Sequence, residues 1–221
     1  MKNILKKEFM LGIHPSCYIT FAFILCALIP NFPMIVVFFY PFCILPQLMM
    51  GKNQENNDFE YSTLLPLSLK DYVKGKVVVL ALFELIYLLL LLPMLLLRNY
   101  VLFNNPSSPV YYLNSPGFHS IITLYGIAFI VYSFVNLIMI AYYFAKFPKY
   151  ILPLLFSIFG SFLLFILFGL VMSYFPVIGP LFDQKEGIIA QLILLFVGIV
   201  FYFGSLFLTT NLGARNLKKK L

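Results

Sequence analysis

Charged residues are scarce in this sequence. Asp, Glu, Lys and Arg make up 10% of its 221 residues, and 62% of the residues are hydrophobic, whereas soluble globular chains contain about 25% charged residues. Such a chain belongs in a lipid bilayer, where only helices and closed barrels satisfy every backbone hydrogen bond. Runs such as LIYLLLLLPMLLL lack the alternation of a barrel strand. We therefore predict an all-α, polytopic membrane protein.

Residues that could support catalysis or cross-linking are also few. Cys17, Cys26 and Cys43 all lie in apolar runs, which argues against a disulfide framework or a thiolate metal site. His14 and His119 fall near opposite membrane faces, so they cannot share an active site. An intramembrane hydrolase, one alternative for such a chain, would need clustered catalytic groups. We predict no enzyme activity and no metal site.

The chain offers six apolar segments for crossing a bilayer, which takes roughly 20 residues per helix. We predict a single transmembrane domain over residues 1–221 with spans at about 13–30, 34–50, 77–97, 118–145, 151–175 and 188–210. Thirteen Lys and Arg residues then lie on one side, with Arg98 and Lys185 on the other. The excess of positive charge marks the cytoplasmic side. We therefore predict a multi-pass protein of a bacterial cell membrane with both termini in the cytoplasm.

The net charge of +7 comes from basic residues at the membrane edges. There they are attracted to anionic lipid, so we do not interpret the charge as nucleic-acid binding. The N-terminal stretch MKNILKKEFMLGI has its apolar residues at helical spacing and its charged residues at the other positions. The apolar positions are Ile4, Leu5, Phe9 and Ile13, and the charged ones are Lys2, Lys6, Lys7 and Glu8. We predict an interfacial helix here, with a plain basic flank as the alternative.

The longest polar stretch, EYSTLLPLSLKDYVKGK, lies between the second and third spans. Pro66 disfavours helix at Leu65, and Ser68 with Asp71 forms a capping pair. We therefore predict a short helix near Asp58 to Leu65, then a break, then a helix that begins at Leu69 and continues into the third span. The segment presents an apolar patch of Phe59, Tyr61, Leu64, Leu65 and Leu67. The patch either docks a partner protein or lies on the membrane or on the protein's own loops.

The string TLLPLSLKDYVKGK resembles the cytoplasmic signature of ABC-2 type transporter permeases. The matching positions are Leu65, Pro66, Ser68, Lys70, Tyr72, Val73, Gly75 and Lys76. Leu69 stands where the family usually has arginine. The resemblance implies a cytoplasmic coupling helix between spans two and three that docks on a separate ATPase subunit. The implied docking residues are Phe59, Tyr61, Leu64, Leu65, Pro66, Leu67, Ser68 and Lys70, with the loop KFPKY at 146–150 as a second contact.

The resemblance also implies the assembly. The chain lacks the P-loop pattern G-x-x-x-x-G-K-[ST], because Lys70 stands where its first glycine would precede Gly75-Lys76. We expect this chain to bind no cofactor itself, with ATP and Mg handled by the ATPase subunit. The expected complex is an exporter with two membrane subunits, either a homodimer or a pair of related permeases. The chain is also similar to membrane subunits of phenol-soluble modulin exporters, which implies an amphipathic or hydrophobic cargo such as a peptide.

A substrate-capturing subunit of an energy-coupling factor transporter is the main alternative, with similar length and span number. Such subunits resemble one another in an Ala-x-x-x-Ala face on the first span. Here Ala22 and Ala27 are five residues apart, which disfavours this alternative.

Three polar residues within the predicted spans are candidates for the substrate path: Glu84, Asn136 and Gln191. An ionisable group inside a membrane is costly and by default marks a cavity, a relay or a partner. A protonated glutamate bonded to a neighbouring helix is the structural alternative for Glu84. The two amides equally could form bonds between helices.

Overall fold

The computed structural model describes residues 2–29, 32, 34–55, 57–64, 67–98, 120–146, 149, 151–174, 181–182 and 187–219. Within these ranges the chain is helical, with no strand. The α-helices are α1 Lys2–Lys7, α2 Ser16–Ile19, α3 Met34–Glu55, α4 Asp58–Thr63, α5 Leu69–Arg98, α6 Ile121–Lys146, α7 Ile151–Tyr174 and α8 Ile188–Lys218. A π-helical turn, Glu8–Gly12, follows α1, and a 3₁₀ helix, Thr20–Leu28, follows α2.

Among the residues that the structure describes, three helices are long and apolar enough to cross a membrane: α5, α6 and α8. They coincide with the predicted third, fourth and sixth spans, although α8 continues eight residues past the predicted end at 210. The other three predicted spans correspond to shorter apolar helical stretches, Ser16–Leu28, Val36–Lys52 and Ile151–Leu164. The all-helical class and an apolar chain compatible with a membrane protein are thus confirmed, and the count of six spans stays a prediction.

The helix α6 packs along α8 more extensively than any other pair of helices. Two glycines explain the close approach. A Cβ on Gly198 would lie 2.5 Å from the backbone oxygen of Gly126, and one on Gly126 would lie 3.1 Å from the backbone of Leu194. Small residues at such crossings let membrane helices pack backbone to backbone. The contact places the middle of α8 directly against α6.

The helix α3 contains Pro41 in its interior. A proline has no N–H, so the carbonyl four residues earlier, that of Val37, loses its donor within the helix. The hydroxyl of Tyr87 on α5 donates a hydrogen bond of 2.8 Å to this carbonyl oxygen. The hydroxyl of Tyr132 on α6 donates one of 2.7 Å to the next carbonyl, that of Phe38. Side chains of neighbouring helices therefore supply hydrogen bonds to the backbone carbonyls of α3 near the proline.

Large apolar side chains stay exposed along α7 and α8. They include Phe156, Phe159, Phe162, Ile166, Phe196, Phe201, Phe203 and Phe207. In the most apolar 18-residue stretch of α8 only 22% of the residues are buried, whereas 56% are buried in that of α6. Contiguous exposed apolar surface of this kind fits lipid or a partner membrane chain. The core of the chain therefore lies around α5 and α6, with α7 and α8 at its edge.

Candidate coupling elbow and intramembrane polar site

The segment between α3 and α5 folds as two helices separated by a break. The short helix α4 ends at Thr63, and α5 begins at Leu69 as predicted. The hydroxyl of Ser68 accepts a hydrogen bond of 3.1 Å from the backbone N–H of Asp71 and donates one of 2.6 Å to the Asp71 carboxylate. This is the predicted capping pair, and it satisfies a donor that the first turn of α5 leaves open. From there α5 continues for 30 residues, with Pro93 in its interior.

Four charged residues, three of them buried and Lys7 partly buried, connect α1 and its π-helical extension to α4 and α5. The amine of Lys76 lies 2.6 Å from Asp58 Oδ2 and 3.1 Å from Glu8 Oε2. The amine of Lys7 lies 2.7 Å from Asp58 Oδ1 and 3.3 Å from Glu8 Oε1. We call Lys7, Glu8, Asp58 and Lys76 the ion-pair cluster. Its formal charge is zero, so each buried charge has a compensating partner, as burial requires.

Further polar groups complete the ion-pair cluster. The Tyr72 hydroxyl donates a hydrogen bond of 3.1 Å to Asp58 Oδ2, and the Lys76 amine lies 4.7 Å from the centre of the Tyr72 ring, within cation–π range. Lys7 donates a 2.5 Å hydrogen bond to the Ser62 hydroxyl. Burial alone would raise the pKa of Asp58, but the two lysines hold it below its ordinary value of 3.8. Asp58 is therefore a carboxylate at neutral pH, which is the state that binds both amines.

Gly75, next to Lys76, lets the N-terminal segment reach α5. A Cβ at this position would lie 2.6 Å from a methyl group of Ile4 and 3.5 Å from Cγ of Glu8. The Gly-Lys pair thus has a local structural role, because the glycine makes room for the segment and the lysine binds its carboxylate. Our sequence interpretation placed Glu8 among the polar positions away from the apolar face. The structure buries Glu8 instead, because α5 supplies a buried cation opposite it.

The predicted docking residues divide between inward and outward positions. Phe59 packs on the core, with its ring centre 5.6 Å from that of Tyr72. Leu64 is 82% exposed at the end of α4. Ser68 and Lys70 are also exposed, and Leu67 is half-buried. Leu65, Pro66 and the side chain of Tyr61 lie outside the described residues. The outward surface that the structure describes is therefore Leu64 with the start of α5.

The chain was also compared with known proteins. No protein-family model, curated protein or solved structure matches it. Functional conclusions therefore depend on the geometry of the site and on the sequence pattern.

A second polar site lies within the helical core. The Asn136 amide on α6 donates a hydrogen bond of 2.8 Å to Glu84 Oε2 on α5, and the Tyr202 hydroxyl on α8 donates one of 2.7 Å to the same oxygen. All three side chains are fully buried. Glu84 therefore joins three helices at one atom. In this conformation the site is a cross-link between helices, with no exposed surface of its own.

Gln191 lies apart from this site. It accepts a 2.5 Å hydrogen bond from the Ser120 hydroxyl and donates one of 3.4 Å to the backbone carbonyl of Leu181. Eleven residues of helix separate it from Tyr202, which is about 16 Å at 1.5 Å per residue. The structure thus brings Glu84 and Asn136 together and leaves Gln191 at the far end of α8.

The sequence interpretation missed the partners of both sites. The sequence analysis used Lys76 only to assign the membrane orientation and as part of the sequence motif. It did not single out Tyr202 among the 15 tyrosines. Only eight acidic residues occur in the chain, and three of them, Glu8, Asp58 and Glu84, are fully buried. That rarity was the available signal, because a buried acid needs a cation or several hydrogen-bond donors. Among the residues that the structure describes, no His, Cys, Asp and Glu side chains are grouped to hold a metal ion.

Proposed function

We propose that this chain is the membrane subunit of an ATP-driven exporter of the ABC-2 type. The observation that carries the proposal is the geometry of α4. Its inner side is anchored through Asp58 to Lys76 of α5, while Leu64 at its end is 82% exposed. A short helix that is fixed to a long membrane helix on one side and is followed by an exposed leucine fits a docking element for another protein.

The ion-pair cluster would make this docking element mechanically useful. A displacement of α4 pulls on Asp58, whose carboxylate holds Lys76, and α5 then carries the displacement along its 30 residues. The N-terminal segment moves too, because Glu8 binds the same lysine. A partner that binds α4 differently in two states can therefore bias the helices between two arrangements.

The energy source in this proposal is a separate ATPase, because the sequence has no P-loop. The complete exporter comprises two membrane subunits, identical or paired, and the ATPase subunits that bind ATP and Mg. The exposed aromatic and aliphatic faces of α7 and α8 are suited to a second membrane chain or to lipid. The proposed cargo is an amphipathic or hydrophobic molecule, with a peptide as the expected class, and both termini lie in the cytoplasm.

The test is purification of the full chain from its native membranes in a mild detergent. We expect an ATPase chain that carries a P-loop to co-purify with it, and Leu64→Asp to abolish this association while the chain still inserts into the membrane. Leu212→Asp is the control. Leu212 is an exposed leucine near the C-terminal end of α8, and this variant should retain the ATPase. Retention of the ATPase by Leu64→Asp, or the absence of any ATPase, would contradict the proposal.

A further inference from the structure

A groove runs between α5 and α8 on the outer surface of the chain. Its volume is about 420 Å³, within the range of ligand-binding pockets. On α5 it is lined by Lys70, Lys74, Val77, Val78, Ala81, Leu82 and Leu85, and on α8 by Phe203, Leu206, Phe207, Thr210 and Asn211. We call this the α5–α8 groove. Neither Glu84 nor the ion-pair cluster lines it, and Lys70 is the one predicted docking residue that does.

The polar and apolar residues of the groove are segregated along its length. Lys70 and Lys74 stand at one end, and the wall then continues as an uninterrupted apolar stripe to Leu85. The floor is buried at Val77 and Ala81, while the rings of Phe203 and Phe207 are 55% and 68% exposed. One end of the groove therefore suits a charged group, and the rest suits a hydrocarbon chain.

The two lysines favour an anion at that end. Both are exposed, one helical turn apart on the same face of α5. Within the described part of the chain, neither is paired with a carboxylate. Thr210 donates its hydroxyl proton to the backbone carbonyl of Leu206, and Asn211 donates one of its two amide protons to that of Phe207. The positive charge that would attract an anionic headgroup therefore comes from the two lysine ammonium groups, which lie where the basic loops place the cytoplasmic surface.

The length of the groove distinguishes a lipid from a second membrane helix. Lys74 and Leu85 are 11 residues apart, about 16 Å along the helix at 1.5 Å per residue. Half of a hydrocarbon core of about 30 Å is about 15 Å. The groove thus extends through one leaflet and ends near the bilayer centre, whereas a packed helix would continue through both leaflets.

We propose that the α5–α8 groove binds an anionic phospholipid of the inner leaflet, with its phosphate at Lys70 and Lys74 and an acyl chain against Ala81, Leu85 and Phe203. The site goes beyond the proposed transport function and requires only that α5 and α8 lie in the bilayer with the start of α5 at the cytoplasmic face. It gives the chain a lipid ligand of its own at the cytoplasmic start of α5.

The experiment is native mass spectrometry of the purified full chain in a non-ionic detergent, titrated with phosphatidylglycerol or phosphatidylcholine carrying the same acyl chains. We expect phosphatidylglycerol to bind more tightly. Lys70→Gln with Lys74→Gln should weaken its binding by about 25-fold, about fivefold for each lysine near the membrane surface. The control Lys218→Gln with Lys219→Gln removes the same charge from exposed positions at the end of α8 and should leave binding unchanged.

A second pair of variants tests the groove itself. Val78→Trp fills it from a half-buried position, whereas Leu89→Trp adds the same ring to an exposed position of α5 outside the groove. We expect only Val78→Trp to reduce phosphatidylglycerol binding, and the lysine variant keeps the test valid if Val78→Trp fails to fold. Equal binding of the two lipids, or full binding by either groove variant, would overturn the proposal. So would a dimer in the wild-type spectrum that Val78→Trp dissociates without any change in lipid binding.

Discussion

Replacing Lys76 by Met tests whether the ion-pair cluster holds the N-terminal segment, α4 and α5 together. The Lys76 amine is fully buried and pairs with both Glu8 and Asp58. Its removal leaves two buried carboxylates with one cation, Lys7. Breaking a buried ion pair on one side costs about 3–5 kcal/mol. In a chain of about this length each kcal/mol shifts Tm by about 2–4 °C, so we expect Tm to fall by about 6–20 °C.

Labelling by a thiol-reactive dye in detergent, without added lipid, measures this change, because Cys17 is fully buried and reacts once the chain unfolds. The control Lys74→Met removes an exposed lysine from the same helix and should shift stability by no more than about 0.5 kcal/mol. Lys76→Met combined with Glu8→Gln restores neutrality, so we expect it to melt at a higher temperature than Lys76→Met alone. A Tm for Lys76→Met like that of the control, or no recovery in the double variant, would refute the reasoning.

Two other sites give predictions with the same assay. Glu84→Leu removes the acceptor shared by the Tyr202 hydroxyl and the Asn136 amide. The Tyr202 hydroxyl keeps the Ala81 carbonyl at 3.5 Å, so we expect a cost of about 1–3 kcal/mol for the orphaned Asn136 donor. Glu84→Gln keeps an acceptor oxygen and should cost less; equal losses would mean that the charge is needed rather than the acceptor. Gly198→Leu should separate α6 from α8, because even a Cβ would lie 2.5 Å from the Gly126 oxygen, and we expect a loss of about 1–3 kcal/mol from overpacking. Gly204→Leu is the control, since its Cβ would meet nothing within 4 Å, and an equal loss there would contradict the role of the glycine contact.

Local sequence signals predicted the segment that contains α4 and the start of α5 well. The break before Ser68, the capping pair with Asp71 and the start of α5 at Leu69 all depend on residues within a few positions of one another. Proline geometry and capping act at that range. The sequence was therefore sufficient to predict where α4 lies and where α5 begins.

Contacts between distant segments could not be predicted in the same way. Glu8 and Lys76 are 68 positions apart, and Glu84 and Tyr202 are 118 apart. Helical periodicity shows which residues share a face but not which helices pack together. Glu84 and Asn136 were each recognised as unusual polar residues, yet their pairing depends on how α5, α6 and α8 pack together. The burial of Glu8 likewise depends on the close approach at Gly75.

The proline in α3 has a consequence for motion. The carbonyl of Val37 lacks its usual donor four residues later, because Pro41 has no N–H, and the Tyr87 hydroxyl of α5 donates to it. Sliding α3 past α5 would break this hydrogen bond at a depth where water cannot replace it, and an unsatisfied carbonyl there costs several kcal/mol. A rearrangement therefore costs least when α3 and α5 move together as one rigid body.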